Sequence, residues 1–496
     1  MQTPIEGKQF IAGKWVTGEG PEWKREAPGD GSVTWQGNWA SESQAQAAID
    51  AARAAFEDWA DRSLEDRIAI CQKFAEIVTE RKEELATLIA TENGKPLWEA
   101  RTEVAASIGK VSNSVQSIHE RRWTTTEQLG EFAAVTRYRP HGVMFVIGPF
   151  NFPSHVPGGH IIPALLAGNT IVFKPSEFVS GVGQWLCQVW EETGLPAGVL
   201  NLVHGRGDVG NVAVESPLVD GVLFTGSQKV GTLLHKKMAG QTHRVLALEM
   251  GGNNPLVVHN TSDIRGAAIT TILSAFITSG QRCTCSRRLI ISGDETYEAL
   301  VGELQELIPQ IKTGLSLADP QPFMGPLIHS QTAENMLAAE KSILEGGAKS
   351  LVKMQQDASC PAILSPALIE MGEDQDIGDC EFFGPLLMVR KAADLQEALR
   401  MASNTAYGLS AGFIGDEESD FHYFINRVRA GIVNWNRQTT GASGKLPFGG
   451  AGISGNHHPS GFHAADYCSF PMASLESSEL SEAKKAMPGL EFGGDA

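Results

Sequence analysis

The sequence predicts an α/β fold in which two parallel-sheet units share the chain with a separate β-ribbon, and three observations carry that prediction. Short β-branched runs alternate with helical stretches from Val143 to Glu249, the rhythm of strand–helix–strand units that build a parallel sheet. The same alternation resumes between Gly252 and Gly450. With 496 residues, 42% of them hydrophobic, the chain exceeds what one core usually serves, so two or three domains are expected.

Taken in order, the chain opens with an alternating stretch from Phe10 to Trp15 around Gly13, which reads as a hairpin, and then a Pro- and Gly-rich segment from Glu19 to Ser32. Ser41–Ala60 and Leu64–Thr91 carry Ala, Leu, Glu and Arg at helical spacing, and Glu92-Asn93-Gly94-Lys95-Pro96 stops the second helix. A third helix spans Leu97 to about Arg121, and the Thr-rich alternation from Trp123 to Arg139 reads as an extended ribbon. Val143–Ile147, Thr170–Phe173, Val199–Val203, Gly221–Phe224 and Val245–Leu248 are the strands of the first sheet. Leu256–Val258, Arg288–Ile291, Leu386–Val389 and Gly431–Val433 belong to the second, and Ala464–Leu475 has the alternation of an exchanged strand. No internal repeat interrupts this order.

The formal charge of −18 argues against a nucleic-acid or anionic-membrane partner, which calls for a basic patch. Seven cysteines scattered over the chain suit a reducing compartment better than a disulfide framework. Met1–Gly20 lacks the pattern of a secretory signal and no apolar run reaches membrane-spanning length, so the cytoplasm is the expected location.

Candidate chemistry sits in three short stretches. Cys283 lies in Gly280-Gln281-Arg282-Cys283-Thr284-Cys285. A thiol attacks carbonyl carbon as thiolate, and an ordinary Cys holds only a few per cent of that form near neutrality, so local help is needed. Arg282 and a helix start expected after Gly280 are two sources of positive potential. The plain alternatives are a core cysteine, or a metal pair of Cys283 and Cys285; no further Cys or His stands at ligand spacing, and no metal is expected. Glu249 ends the apolar run Val245-Leu246-Ala247-Leu248 and precedes Gly251-Gly252, an awkward address for a structural carboxylate. Asn151 follows the run Val143–Ile147 between two prolines, where it offers an amide donor on a constrained backbone.

A nucleotide would sit at the carboxyl ends of the first sheet. Gly226-Ser227-Gln228-Lys229-Val230-Gly231 follows a strand and opens a helix, which makes it the stronger phosphate seat. Gly205-Arg206-Gly207-Asp208-Val209-Gly210 also fits the GxGxxG spacing, a pattern common by chance. Lys174 and Glu177, just past the second strand, suit a ribose; a solvated surface pair reads the same way.

Phe150-Asn151-Phe152-Pro153, Lys174-Pro175-Ser176-Glu177, Phe224-Thr225-Gly226-Ser227, Leu248-Glu249-x-Gly251-Gly252, Gly280-Gln281-x-Cys283, Glu381-x-Phe383-Gly384-Pro385 and Pro447-Phe448-Gly449-Gly450 together resemble the aldehyde dehydrogenase superfamily, in the family's order and along nearly the whole chain. The resemblance implies a Rossmann-type NAD domain from residues 1–121 and 141–251, a catalytic α/β domain from 252–450, and an oligomerisation ribbon and tail from 122–140 and 464–485. It implies Cys283 as nucleophile, Glu249 as the base that activates water, and Asn151 with the Cys283 backbone N–H as oxyanion donors. Lys174, Glu177, Gly207, Phe224, Gly226, Ser227, Gly231, Glu381 and Phe383 are the implied cofactor residues. A carboxylate at Glu177 accepts from the ribose of NAD and repels the extra phosphate of NADP, which favours NAD. The family's ribbon joins subunits, so a dimer or tetramer of this chain is expected.

Gly280-Gln281-Arg282-Cys283-Thr284-Cys285, Asn434-Trp435-Asn436 and Ala464-Ala465-Asp466-Tyr467-Cys468 resemble the bacterial branch acting on a succinylated glutamate semialdehyde in arginine catabolism. Two carboxylates on that substrate call for cations, and Arg282, Arg437, His457 and His458 are the candidates. Other readings are an oxidation of a different semialdehyde or aliphatic aldehyde, transfer of the acyl group to coenzyme A, and a non-catalytic role. The presence of Glu249 speaks against acyl transfer, and the retained Cys283, Glu249 and Asn151 speak against the last.

Overall fold

The computed structural model describes residues 3–372, 375–480 and 488–489; residues 1–2 of the first expected domain and 481–485 of the expected tail lie outside them. The first large sheet has seven strands in the spatial order Val245–Met250, Gly221–Gly226, Val143–Ile147, Thr170–Lys174, Leu200–Leu202, Gln9–Ile11 and Lys14–Val16. Its five central and flanking strands from Val143 onward are parallel, and the N-terminal hairpin adds antiparallel to Leu200–Leu202. Ala12 and Gly13 both take positive φ, 52° and 75°, which gives the tight hairpin turn. After Leu200–Leu202 the chain returns to the far side of Val143–Ile147. That reversal opens a crevice at the carboxyl ends of Val143–Ile147 and Gly221–Gly226, where ligands of open α/β sheets bind.

Ser41 caps the helix Glu42–Ala60 in a capping box with Gln44. The single helix expected from Leu64 to Thr91 is two, Leu64–Glu80 and Lys82–Asn93, broken at Arg81. The break lets the Arg81 guanidinium grip Glu84 and Glu192 and lie 4.8 Å over the Trp185 ring, a tertiary preference that spacing along the sequence does not carry. Leu97–Arg121 is one unbroken helix with a mixed inner face: Glu99, Glu103, Ser107, Lys110, Ser114 and Ser117 are all buried beside Ala100, Val104 and Val111.

The second large sheet runs Lys349–Val352, Ala367–Glu370, Leu386–Ala392, Ser286–Ser292, Asn254–Val258, Ser410–Ile414 and Ile432–Trp435, parallel except at its first edge. Only Gly251-Gly252-Asn253 separates Met250, the end of one sheet, from Asn254, the start of the other. The carboxyl end of the first sheet therefore abuts the second sheet, and Glu249 stands at that seam.

A third sheet pairs Thr125–Leu129 with Phe132–Pro140 and the latter with Ser469–Glu476, eight residues in antiparallel register. The tail is not strand throughout: Ala464–Tyr467 is a helical turn, and the strand starts at Ser469. It pairs within its own chain, and Trp123, Leu129, Phe470 and Leu475 leave apolar surface exposed on this sheet and just before it. Among the described residues no helix is long and apolar enough to cross a membrane.

Candidate active site

Cys283 sits in the connection between the helix Ile264–Phe276 and the strand Ser286–Ser292. Thr278, Ser279 and Gly280 have φ of 56°, 53° and 72°, and a Cβ on Gly280 would fall on the Gly384 carbonyl, so only glycine fits there. The helix expected to start after Gly280 is absent, and the chain turns straight into the strand. Asn254 Nδ2 holds the loop by donating to the carbonyls of Cys283 at 2.7 Å and Cys285 at 2.8 Å. Burial pushes the Cys283 thiol up to about 12, helped by the nearby charges of Glu381 and Glu249, while Arg287 pulls the other way. Cys285 is fully buried and its Sγ faces the Ile277 carbonyl at 3.8 Å, the place of a core residue.

Arg282 does not turn to the thiol. Its guanidinium donates to Glu99 at 2.7 Å and, through Nε, to Thr278 Oγ1 at 2.7 Å, and it lies 5.0 Å over the Phe152 ring. Its charge is matched by a carboxylate with no exposed side-chain surface, which corrects the expectation of a cation free to take substrate. Arg287, and not Arg282, is the cation that acts on the thiol. Wholly buried, it donates to the carbonyls of Arg282 at 3.0 Å and Gly384 at 3.2 Å, and stands 4.0 Å from Glu381.

Asn151 is buried, and its Nδ2 donates to the Gln281 carbonyl at 2.9 Å, which ties it to the cysteine loop and leaves the second N–H of that amide for another acceptor. Its backbone is pinned by Lys95, whose Nζ donates to the Asn151 carbonyl at 2.6 Å and to Glu103 at 2.7 Å in a pair without solvent exposure. Glu103 in turn accepts from the N–H of Ser154 at 2.9 Å.

Glu249 lies buried on the strand Val245–Met250, in register with Thr225. Oε1 accepts a single long hydrogen bond, 3.3 Å from the Ser460 N–H, and Oε2 has no partner among the described residues. Burial raises this carboxyl well above its ordinary range, which suits a base working near neutrality. Beside it, His160 joins Tyr467 Oη at 2.8 Å and Thr225 Oγ1 at 3.0 Å, and burial holds the ring neutral, down at about 3.

The residues at the crevice fit a dinucleotide. Two helices start there, Gly207–Glu215 and Gln228–Met238, the second capped by Ser227. A Cβ on Gly226 would meet the Phe224 ring at 2.5 Å and one on Gly231 would strike Met250, so both glycines permit close approach. Gly207 has open space where a Cβ would be. Lys174 Nζ bridges the carbonyls of Pro175 and Gly205 at 3.0 and 2.7 Å, and Glu177, half-buried, opens the next turn. Glu381 accepts from the Gly252 N–H at 3.1 Å, and Phe383 meets Phe150 edge-on at 5.9 Å. Phe224 departs from its expected part: its ring is buried in the core beneath Gly226 and supports the seat from below.

Of the remaining cations, Arg437, His457 and His458 are exposed, the first just past the strand Ile432–Trp435 and the other two before Ser460, whose N–H meets Glu249. Sequence reasoning passed over Lys95, Glu99, Glu103 and Arg287. Their only signal was charged residues at four-residue spacing running from the Lys95 loop into a helix, which reads as a solvated face, and a doubled arginine at the start of a strand.

Comparison with known proteins gives one consistent result. The profile of the aldehyde dehydrogenase family matches residues 15–470. The N-succinylglutamate 5-semialdehyde dehydrogenase of Paraburkholderia xenovorans is 47% identical over 483 residues, 97% of this chain and 99% of that protein. The protein of the same name from Burkholderia multivorans matches with the same identity and coverage. The crystal structure of an NAD-dependent aldehyde dehydrogenase from Sinorhizobium meliloti superposes with a TM-score of 0.92 at 28% identity, covering 99% of this chain and 97% of that one.

Proposed function

The chain belongs to the aldehyde dehydrogenase family, and on that premise we propose that it oxidises N-succinylglutamate 5-semialdehyde to N-succinylglutamate with NAD, as its relatives' names indicate for them. The observation that carries the chemistry is the meeting of Cys283, Asn151 and a buried, under-bonded Glu249 at the seam of the two sheets. Cys283 Sγ adds to the aldehyde carbon. The thiol proton passes to solvent water as the carbon–sulfur bond forms, which leaves Glu249 for the second step. The new oxyanion is held by the free N–H of the Asn151 amide and the backbone N–H of Cys283; each such donor is worth ~10²–10³ in rate. Bound NAD supplies the acceptor for the hydride of the sulfur adduct, which becomes a thioester on Cys283. Glu249 then takes a proton from water, which attacks the thioester and releases the acid and the thiol.

Lys174 and Glu177 would hold the adenosine ribose, Gly226, Ser227 and the helix starts at Gly207 and Gln228 the pyrophosphate, and Glu381 and Phe383 the nicotinamide end. Gly231 lets the helix approach, and Phe224 is the floor. Arg437, His457 and His458 stand for the outer polar groups of the substrate. We assign residues 1–121 with 141–251 to the NAD domain, 252–450 to the catalytic domain, and 122–140 with 464–485 to oligomerisation, supported by the exposed apolar residues on the third sheet. Seven free cysteines support a reducing compartment, the cytoplasm. The test is a panel of aldehydes with NAD and NADP. N-succinylglutamate 5-semialdehyde with NAD should give the highest kcat/KM, and a preference for hexanal would refute the substrate while leaving the reaction class.

A further inference from the structure

Glu99, Glu103, Ser107, Lys110, Ser114 and Ser117 follow one another at three- and four-residue steps on the buried face of the helix Leu97–Arg121, and most are spoken for. Glu99 takes Arg282, Glu103 takes Lys95 and the Ser154 N–H, Ser107 pairs with Ser154, and Ser117 donates to the Phe462 carbonyl. Lys110 is different. It is only 5% exposed, and among the described residues its Nζ has no hydrogen-bond or ion-pair partner. An ammonium on a buried side chain without a partner is costly, and burial lowers it to about 8, with no carboxylate to raise it. It therefore still carries its proton near neutrality. The titratable groups facing it, His155 and His160, are both held neutral by burial.

The helix that follows the Asn151 segment passes beside Lys110. Across from the lysine is Gly159, on that helix, His155–Ala167. A Cβ on Gly159 would stand 3.6 Å from Nζ and 3.7 Å from Cε, in plain van der Waals contact, so the glycine leaves the room of one methyl group beside the ammonium. One turn further along, Asn113 lies against Gly444, where a Cβ would come to 2.8 Å, so the loop after Arg437 closes over this end of the helix.

Length selects among the substrate's carboxylates. Lys110 is seven residues past Glu103, which holds the Asn151 segment, and at about 1.5 Å per residue that is roughly 10 Å along the helix. In an extended molecule at about 1.2 Å per bond, the α-carboxylate of the semialdehyde lies roughly 5 Å from the aldehyde carbon and the distal succinyl carboxylate roughly 10 Å.

We propose that Lys110 pairs with the distal succinyl carboxylate, making it the residue that separates an N-succinylated semialdehyde from one with a shorter, uncharged acyl group. The assignment rests on the substrate reading above. It is tested by a two-by-two comparison: wild type and Lys110→Met, each with N-succinylglutamate and N-acetylglutamate 5-semialdehyde, which differ by the distal carboxylate. Wild type should favour the succinyl compound by ~10²-fold in kcat/KM, expressed mainly in KM, as expected for a charged hydrogen bond. In Lys110→Met the ratio should collapse to below about threefold. A purely structural lysine would lower both substrates together and keep the ratio, which would overturn the proposal. So would a wild-type enzyme indifferent to the distal carboxylate. Should the Met variant fail to fold, Lys110→Gln, which keeps a polar end, gives the same comparison. Failure of the substrate reading looks different: wild type would then prefer hexanal to both amino-acid semialdehydes.

Discussion

Replacing Glu249 by Gln separates the two halves of the reaction and also reports on the carboxylate's burial. The side chain is 4% exposed, with one 3.3 Å hydrogen bond to one oxygen and none to the other, and Gln fills nearly the same volume without the charge. Thioester formation should survive in part, whereas hydrolysis loses its base. General bases contribute ~10²–10⁴-fold, so rapid mixing should show one equivalent of NADH per site and then a steady rate lower by that factor. The same variant should be more stable than wild type at alkaline pH. Folding raises the Glu249 carboxyl above its unfolded value, so its contribution to stability is whole in acid and is lost as the pH rises through the folded value. An under-bonded buried carboxylate costs about 1–3 kcal/mol, which Gln should recover above that pH and not below it. Two outcomes would refute this reasoning: a variant that shows no burst and binds aldehyde poorly, or one less stable than wild type at every pH.

Three further substitutions test other parts of the site. Cys283→Ala should abolish oxidation while retaining NAD binding, whereas Cys285→Ala should keep most activity and lose some stability because its Sγ is fully buried; equal loss in both would break the distinction. Glu99→Gln should release Arg282 and loosen the cysteine loop, lowering kcat for charged and uncharged aldehydes alike; an effect confined to anionic substrates would restore Arg282 to a recognition role. Glu103→Gln strands the Lys95 ammonium and should cost about 3–5 kcal/mol in denaturant titrations, with kcat falling as the Asn151 segment loosens; unchanged stability would contradict the buried pair.

The parts legible in the sequence are those whose meaning is local. Glu249 could be placed because an apolar run followed by two glycines marks a strand end, and Asn151 because its prolines follow such a run. Helix boundaries at Ser41 and Leu97 follow from a capping box and a proline stop. The expected helix after Gly280 failed because the backbone there is held by Gly384 and Asn254, both distant in sequence. Arg282 was misjudged for a related reason: adjacency to Cys283 says nothing about which way its guanidinium turns, and Glu99 decides that from another helix. Lys110 was invisible because a lysine among serines and glutamates at helical spacing looks like a solvated face. Only the packing of Leu97–Arg121 against His155–Ala167 turns that face inward.

The proposed reaction passes through a covalent acyl group carried by Cys283, and that species can be caught. Glu249→Gln mixed with NAD and N-succinylglutamate 5-semialdehyde, quenched in acid within the burst and digested, should yield a single peptide enlarged by the succinylglutamyl group, with fragmentation placing it on Cys283. Without NAD no acid-stable adduct should form. An acyl group on Cys285, or a full burst of NADH with no modified peptide, would contradict the mechanism.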